Sequence, residues 1–285
     1  MSNVKRASKR RILTGVGAAV TAGIAVGAFA LVGNANADTD AARSAGTGQA
    51  KPTILLEHGA FADASSWNGV IARLHADGYP VVAAANPLRG PHADATALRS
   101  VLDHIKGPKI LVGHSYGGSV ISEAAANDPE VKGLVYVAAF LLAPGESALG
   151  LTNKYPGSTL PGALDPVSVT NPDGSKGTEL YIQQDKFGHQ FAADVSKTKA
   201  ALAAAGQRPI AQSALEEKAT VAAWKTIPSW DIVTTQDLNI PAAAQRFMAK
   251  RAHARTTEVA ASHSVAVSHP GIVTRVIEEA AHAAR

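Results

Sequence analysis

Lys109-Ile110-Leu111-Val112-Gly113-His114-Ser115-Tyr116-Gly117-Gly118 is the stretch on which the reading of this chain turns. A short apolar run of strand length ends at a glycine, a serine stands two residues on, and two glycines open a segment whose Val120, Ile121 and Ala124 recur at helical spacing. A chain that passes so abruptly from strand to helix has no room for side chains at the flanking positions, which accounts for Gly113 and Gly117. Ser115 is left at the tip of the turn, at a helix N-terminus whose free N–H groups and dipole favour developing negative charge. The strand before and the helix after separate this pattern from a Gly-rich loop that carries the same five residues by chance.

The same alternation extends outward in both directions. Strands are expected at Thr53–Glu57, Val81–Ala85, Lys109–Gly113, Gly133–Ala138, Trp230–Thr234 and Thr256–Val259, and helices at Trp67–Ala76, Ala93–His104, Gly117–Asn127, Ala242–Lys250 and Gly271–Ala283. Six strands with helical crossovers make a doubly wound, mainly parallel sheet covered on both faces. Between residues 142 and 226 the strand pattern lapses into a Pro/Gly-rich stretch, followed by Ala-rich segments near Thr178–Ala205 and Ile210–Trp224 that read as helical. An insertion of that length between core strands is expected to form a helical lid over the strand ends.

The net charge of +4 does not point to a nucleic-acid partner. Five of the 27 basic residues (Lys5, Arg6, Lys9, Arg10, Arg11) lie in residues 1–37, where no acid occurs, which leaves 22 basic against 23 acidic residues in the rest. That front segment has the layout of an export signal: a basic stretch, an apolar run from Ile12 to Gly33, and Ala35-Asn36-Ala37 as a small-residue cleavage site. The expectation is a secreted or cell-envelope protein whose mature chain starts near Asp38, with a flexible leader over 38–51, a domain over 52–285 and no stable membrane partner once the signal is removed. An uncleaved anchor is the alternative, since 22 residues suffice to cross a bilayer. The chain has no cysteine, which excludes disulfides, thiolate metal sites and a cysteine nucleophile.

A serine hydroxyl needs a general base, and the base an orienting acid. After a turn of this type the acid and then the histidine follow in chain order. Of ten histidines, His263 follows the last expected strand, at the carboxyl edge. His253 precedes that strand, His282 lies in the terminal helix, and His269 stands before Pro270 at its start. Asp237 follows the strand Trp230–Thr234 at the same edge as His263, whereas Asp231 falls near the beginning of that strand and reads as structural. The oxyanion hole needs two backbone donors: Tyr116 as the residue after the nucleophile, and Ala60, or failing it Phe61, in the loop His58-Gly59-Ala60-Phe61. His58 is expected to pin that loop.

His58-Gly59-Ala60-Phe61 with Trp67, Gly113 to Gly118, Ile227-Pro228-Ser229-Trp230, Asp237 with Ile240-Pro241, Gln245-Arg246-Phe247-Met248 and Ala261-Ser262-His263-Ser264 together resemble the α/β-hydrolase superfamily. The likeness is to its branch of compact esterases and hydroxynitrile lyases, which includes plant methyl-salicylate esterases, and it covers most of residues 52–285. The resemblance implies an α/β-hydrolase fold, a Ser115, Asp237, His263 triad and no cofactor. Lyases of that branch carry a lysine directly after the catalytic histidine; here that position is Ser264, which favours ester hydrolysis.

The expected function is therefore a serine esterase that forms an acyl-enzyme on a small-molecule ester. Phe61, Trp67, Phe140 and Trp224 are candidate pocket residues. Lyase-like or perhydrolase-like activity on the same triad, or a ligand-binding receptor with little turnover, are the alternatives, because fold does not fix function.

Overall fold

The computed structural model describes residues 50–284; the expected export signal and the leader up to residue 49 lie outside the described residues. The first half alternates β1 (Thr53–Glu57), α1 (Asn68–Ala76), β2 (Val81–Ala84), α2 (Pro91–Leu102), β3 (Lys109–His114), α3 (Gly117–Ala124) and β4 (Val131–Val137). An insertion follows, built from α4 (Ala148–Lys154), β5 (Leu164–Thr170), β6 (Lys176–Ile182), α5 (Gln184–Phe191), α6 (Lys197–Gly206), β7 (Ile210–Ala211) and α7 (Gln212–Glu216). The alternation then resumes with β8 (Ser229–Thr234), α8 (Ala242–Arg251), β9 (Arg255–Val259), α9 (Val265–Ser268) and α10 (Pro270–Ala283).

The six core strands form one sheet in the order β2-β1-β3-β4-β8-β9, with every neighbouring pair parallel. A parallel sheet with helices on both faces buries both sides of its strands, so its interior strands are continuously apolar rather than alternating. Ile54, Leu55, Leu56, Ile110, Leu111 and Val112 are all fully buried. Alternate side chains go to opposite layers. Leu55 and Leu111 pack with Leu98, Val120, Ile121 and Met248 of α2, α3 and α8, while Ile54, Leu56, Ile110 and Val112 meet Val70, Leu74, Val273 and Ile277 of α1 and α10.

The chain enters at β1, passes to β2 on one side and to β3 on the other. The loops leaving β1 and β3 therefore diverge at the carboxyl edge and open a crevice there, where ligands bind in open parallel sheets. His58–Phe61 and Ser115 flank that crevice, and Asp237 and His263 follow β8 and β9 at the same edge.

The insertion differs from the expected helical lid. β5, β6 and β7 form a three-stranded antiparallel sheet, and the run from Thr178 expected to be helical begins inside β6. The β5–β6 hairpin closes around Asn171-Pro172-Asp173-Gly174-Ser175: Asn171 N–H donates to the Ser175 carbonyl at 2.9 Å, and Gly174, at φ 84°, donates to the Asn171 carbonyl at 2.9 Å. Pro-Asp-Gly is a turn signal. The strand before it buries no side chain fully, so its apolar alternation is weak. Backbone bonds seat the insertion on the core, from Phe61 N–H to the Arg208 carbonyl and from Ala211 N–H to the Leu88 carbonyl, both 3.0 Å. No helix among the described residues is long and apolar enough to cross a membrane.

Candidate active site

Ser115 stands between β3 and α3 with φ at 54°, a left-handed conformation that is strained for a residue with a side chain. Its backbone is held from three sides: Ser115 N–H donates to the Val137 carbonyl at 3.2 Å, and its carbonyl accepts from Gly118 at 3.0 Å and Phe140 at 3.1 Å. The flanking glycines are required by close approach. A Cβ on Gly113 would lie 2.6 Å from the Gly117 carbonyl oxygen, and one on Gly117 would lie 2.6 Å from that of Glu57.

The sequence-predicted acid and base meet. His263 Nδ1–H donates to Asp237 Oδ2 at 2.6 Å, and both side chains are buried. The same oxygen accepts from Thr234 Oγ1 at 3.0 Å and Gln245 Nε2 at 3.0 Å, while Oδ1 accepts from the N–H groups of Asn239 at 2.7 Å and Ile240 at 3.0 Å. Burial alone would raise the Asp237 pKa, but the interaction with His263 and the hydrogen bonds from Asn239 and Ile240 outweigh it and hold the carboxyl below its ordinary range. With Nδ1 donating, His263 keeps Nε2 as the acceptor, the tautomer a general base needs. Asp231 is buried in β8, and burial pushes its pKa well up; the partner of His263 is Asp237.

A second histidine fixes the first. His114 Nε2–H donates to the His263 carbonyl at 2.9 Å, and the two rings lie 4.7 Å apart between centroids. Burial, then the neighbouring His263, pull the His114 pKa down to about 3, so it acts as a neutral donor. The His263 ring also meets Phe191 edge-on at 4.9 Å, and Phe191 meets His114 edge-on at 6.1 Å. The Phe191 carbonyl accepts from Ser264 Oγ at 2.9 Å and Asp194 accepts from Ser262, so the insertion grips both residues beside His263.

The loop His58–Phe61, expected to supply an oxyanion donor, follows β1. His58 Nδ1–H donates to the Gly59 carbonyl at 2.9 Å, its Nε2 accepts from Asn86 N–H at 3.0 Å, and Asn86 Nδ2 donates to the His58 carbonyl at 2.8 Å. Burial lowers the His58 pKa, in keeping with a neutral ring that pins the loop. A Cβ on Gly59 would sit 2.6 Å from Ser115 Cβ, so this glycine lets the loop lie against the serine. Phe61 N–H is already bonded to the Arg208 carbonyl, whereas the N–H groups of Ala60 and Tyr116 have no hydrogen-bond partner among the described residues.

Ala60, Phe61, Ser115, Tyr116, Phe140 and His263 line one partly open cavity of about 270 Å³, bordered on the other side by apolar residues of the insertion such as Leu149, Leu160, Leu164 and Leu215. No Asp, Glu, Lys or Arg lines it. Two of the expected pocket residues are corrected. Trp67 is buried in the layer of α1 and α10 on the other face of the sheet, where its ring touches His114 edge-on at 6.3 Å. Trp224 donates Nε1–H to the Leu142 carbonyl at 3.0 Å and carries the Arg251 guanidinium 5.4 Å from its ring centre, away from the cavity lining. Large aromatics stand out in a sequence equally whether they fill the core or line a cavity. Among the described residues no group of three or more metal-ligating side chains could hold a metal ion.

Several contributors escaped sequence reasoning. Phe191 and Asp194 lie in the insertion, where chain position gives no edge to reason from. Gln245 had only its place in a shared motif, and Asp94, which accepts the Tyr116 phenol at 2.6 Å, had no motif at all.

Known proteins agree with this architecture. An alpha/beta hydrolase of Aspergillus novofumigatus, nvfD, is 26% identical over 252 residues, which covers 81% of this chain and 97% of that protein. A pyrethroid hydrolase of Sphingobium wenxiniae is 27% identical over 257 residues, covering 81% of this chain and 88% of its own. The crystal structure of polyneuridine aldehyde esterase superposes with a TM-score of 0.70 at 19% identity, over 80% of this chain and 98% of that one. The model of the alpha/beta hydrolase family matches residues 54–276, and the chain, whose parallel sheet and strand-to-helix turn have just been described, belongs to that family.

Proposed function

We propose that the protein is a serine esterase for uncharged carboxylic esters, acting through an acyl-enzyme on Ser115. The observation that carries this reading is the convergence of Ser115, the Asp237-bonded His263 and two unpaired backbone N–H groups on one apolar cavity. His263 Nε2 takes the Ser115 proton as the hydroxyl oxygen attacks the ester carbonyl. The N–H groups of Ala60 and Tyr116 hold the oxyanion, and His263 returns the proton to the departing alcohol. Water, deprotonated by His263, then attacks the acyl-Ser115 carbonyl; as the Ser115–acyl bond breaks, His263 gives that proton to the Ser115 oxygen and the free acid leaves.

The cavity argues for the substrate class. No charged side chain lines it to pair with a charge on the ester, so neutral esters are favoured. Its volume lies just below the common range for ligand pockets, which favours acids and alcohols of modest size over drug-sized ones. The pyrethroid hydrolase among the relatives supports hydrolysis as the reaction type. Ser264 supports hydrolysis over cyanohydrin cleavage, because its hydroxyl is spent on the Phe191 carbonyl and puts no cation beside the base. We further infer, from residues 1–37, that the protein works outside the cytoplasm, and that the insertion serves as its lid. Labelling the protein with a fluorophosphonate and mapping the adduct by mass spectrometry tests the mechanism: modification of Ser115 supports it, and an unmodified, folded protein refutes it.

A further inference from the structure

Tyr116 follows the nucleophile and supplies one proposed oxyanion donor, yet its side chain runs the other way, into the layer of α2 and α3, where it is 1% exposed. Its phenol donates to Asp94 Oδ2 at 2.6 Å. Asp94 is fully buried in the first turn of α2, and its carboxylate also accepts from Arg89 N–H at 3.1 Å and Gly90 N–H at 3.3 Å.

A buried phenol–carboxylate pair is a poor device for stability. An apolar side chain of similar shape serves about as well, whereas either partner alone would be costly. What such a bond supplies is fixed geometry, and here it acts one residue from the strained Ser115. Strained backbone persists only where its surroundings over-determine it. A carboxylate near a developing oxyanion would also oppose it, but this one is engaged by the Arg89 and Gly90 amides just before α2 and by the phenol, at a helix N-terminus that favours it.

We propose that Asp94 is a positioning residue for catalysis: it holds Tyr116 by its phenol and so keeps the Tyr116 N–H aimed at the oxyanion. The proposal rests on the esterase reading. A misaimed donor costs less than a deleted one, whose loss is worth about 100- to 1,000-fold, so the expected effect is about ten-fold.

The test combines kinetics on nitrophenyl butyrate with nitrogen-15 relaxation of the Tyr116 amide. Tyr116→Phe and Asp94→Ala are each expected to lower kcat about ten-fold with KM within about two-fold. The double variant should be no worse than either single one, because both remove the same bond. Asp94→Asn, whose amide oxygen still accepts, should keep most of the activity. In the free protein the Tyr116 amide order parameter should lie near the rigid-backbone value of about 0.85, fall in Asp94→Ala and recover in Asp94→Asn. Losses that add in the double variant, or a folded Tyr116→Phe protein with undiminished kcat, would overturn the proposal. If the parent protein turns over no ester, the esterase reading fails by that result alone. An order parameter unmoved by Asp94→Ala overturns the positioning claim whether or not there is turnover.

Discussion

His263 donates Nδ1–H to Asp237 Oδ2 at 2.6 Å, and this bond leaves Nε2 as the ring nitrogen free to accept a proton. Four further donors fix the carboxylate itself. In Asp237→Asn the side chain can turn its amide group toward the imidazole and favour the wrong tautomer. The expected result is a fall in kcat on the order of 10,000-fold with KM little changed, measured by steady-state kinetics on a nitrophenyl ester.

Gly59 lets the oxyanion loop lie against the serine, because a Cβ there would stand 2.6 Å from Ser115 Cβ and 2.8 Å from the His114 carbonyl oxygen. Gly59→Ala must push the loop away, and Ala60 N–H with it. Loss of one oxyanion donor predicts a drop in kcat of about 100-fold or more. Thermal unfolding measured alongside separates this from loss of the fold.

The insertion holds the residues on either side of His263, through Asp194 with Ser262 and through the Phe191 carbonyl with Ser264. Asp194→Ala frees one side of that grip, and small misplacements of a catalytic group can cost up to about 100-fold. We expect kcat to fall by about 10- to 100-fold, while the His263 to Asp237 bond persists in a crystal structure of the variant. Full activity in Asp194→Ala would mean that the insertion does not position the base.

These three predictions differ in how much of their basis could be read from the chain alone. The core strands were legible because a parallel sheet buries both faces, which writes continuous apolar runs such as Ile54-Leu55-Leu56 into the sequence. Ser115, Asp237 and His263 were legible because each follows a strand at the carboxyl edge, so that chain order implies proximity. The β5–β6 hairpin was lost because β5 is largely exposed, and Ala-rich sequence after Ile182 drew the helical reading too far forward. Trp67 and Trp224 were misplaced because aromatic size says nothing about which face of a sheet a residue takes. Asp94, Phe191 and Asp194 reach the site through side-chain and insertion contacts that no local pattern encodes.

Glu57 closes β1 beneath the oxyanion loop, with Oε2 unpaired among the described residues. Burial, helped by nearby Asp94, raises its pKa from 4.5 to about 8. The folded state therefore keeps a proton that the unfolded state releases near 4.5. Below that pH both states are protonated and the side chain carries no penalty. Between 4.5 and about 8 the unfolded state binds fewer protons, so this residue lowers stability as pH rises, and above about 8 its contribution levels off. Glu57→Gln should remove that component. Urea unfolding across pH 4.5 to 8 should show a less negative slope of stability against pH than the parent protein; an unchanged slope would show that Glu57 titrates normally.

The most direct measurement is steady-state hydrolysis of nitrophenyl esters of increasing acyl length by the chain from Asp38 onward, beside its Ser115→Ala variant. The account predicts saturable turnover of short and medium neutral esters that falls by at least about 1,000-fold in the variant, while the variant's thermal unfolding stays close to the parent's. Turnover that survives in Ser115→Ala, or its absence on every ester with a folded parent protein, would contradict it.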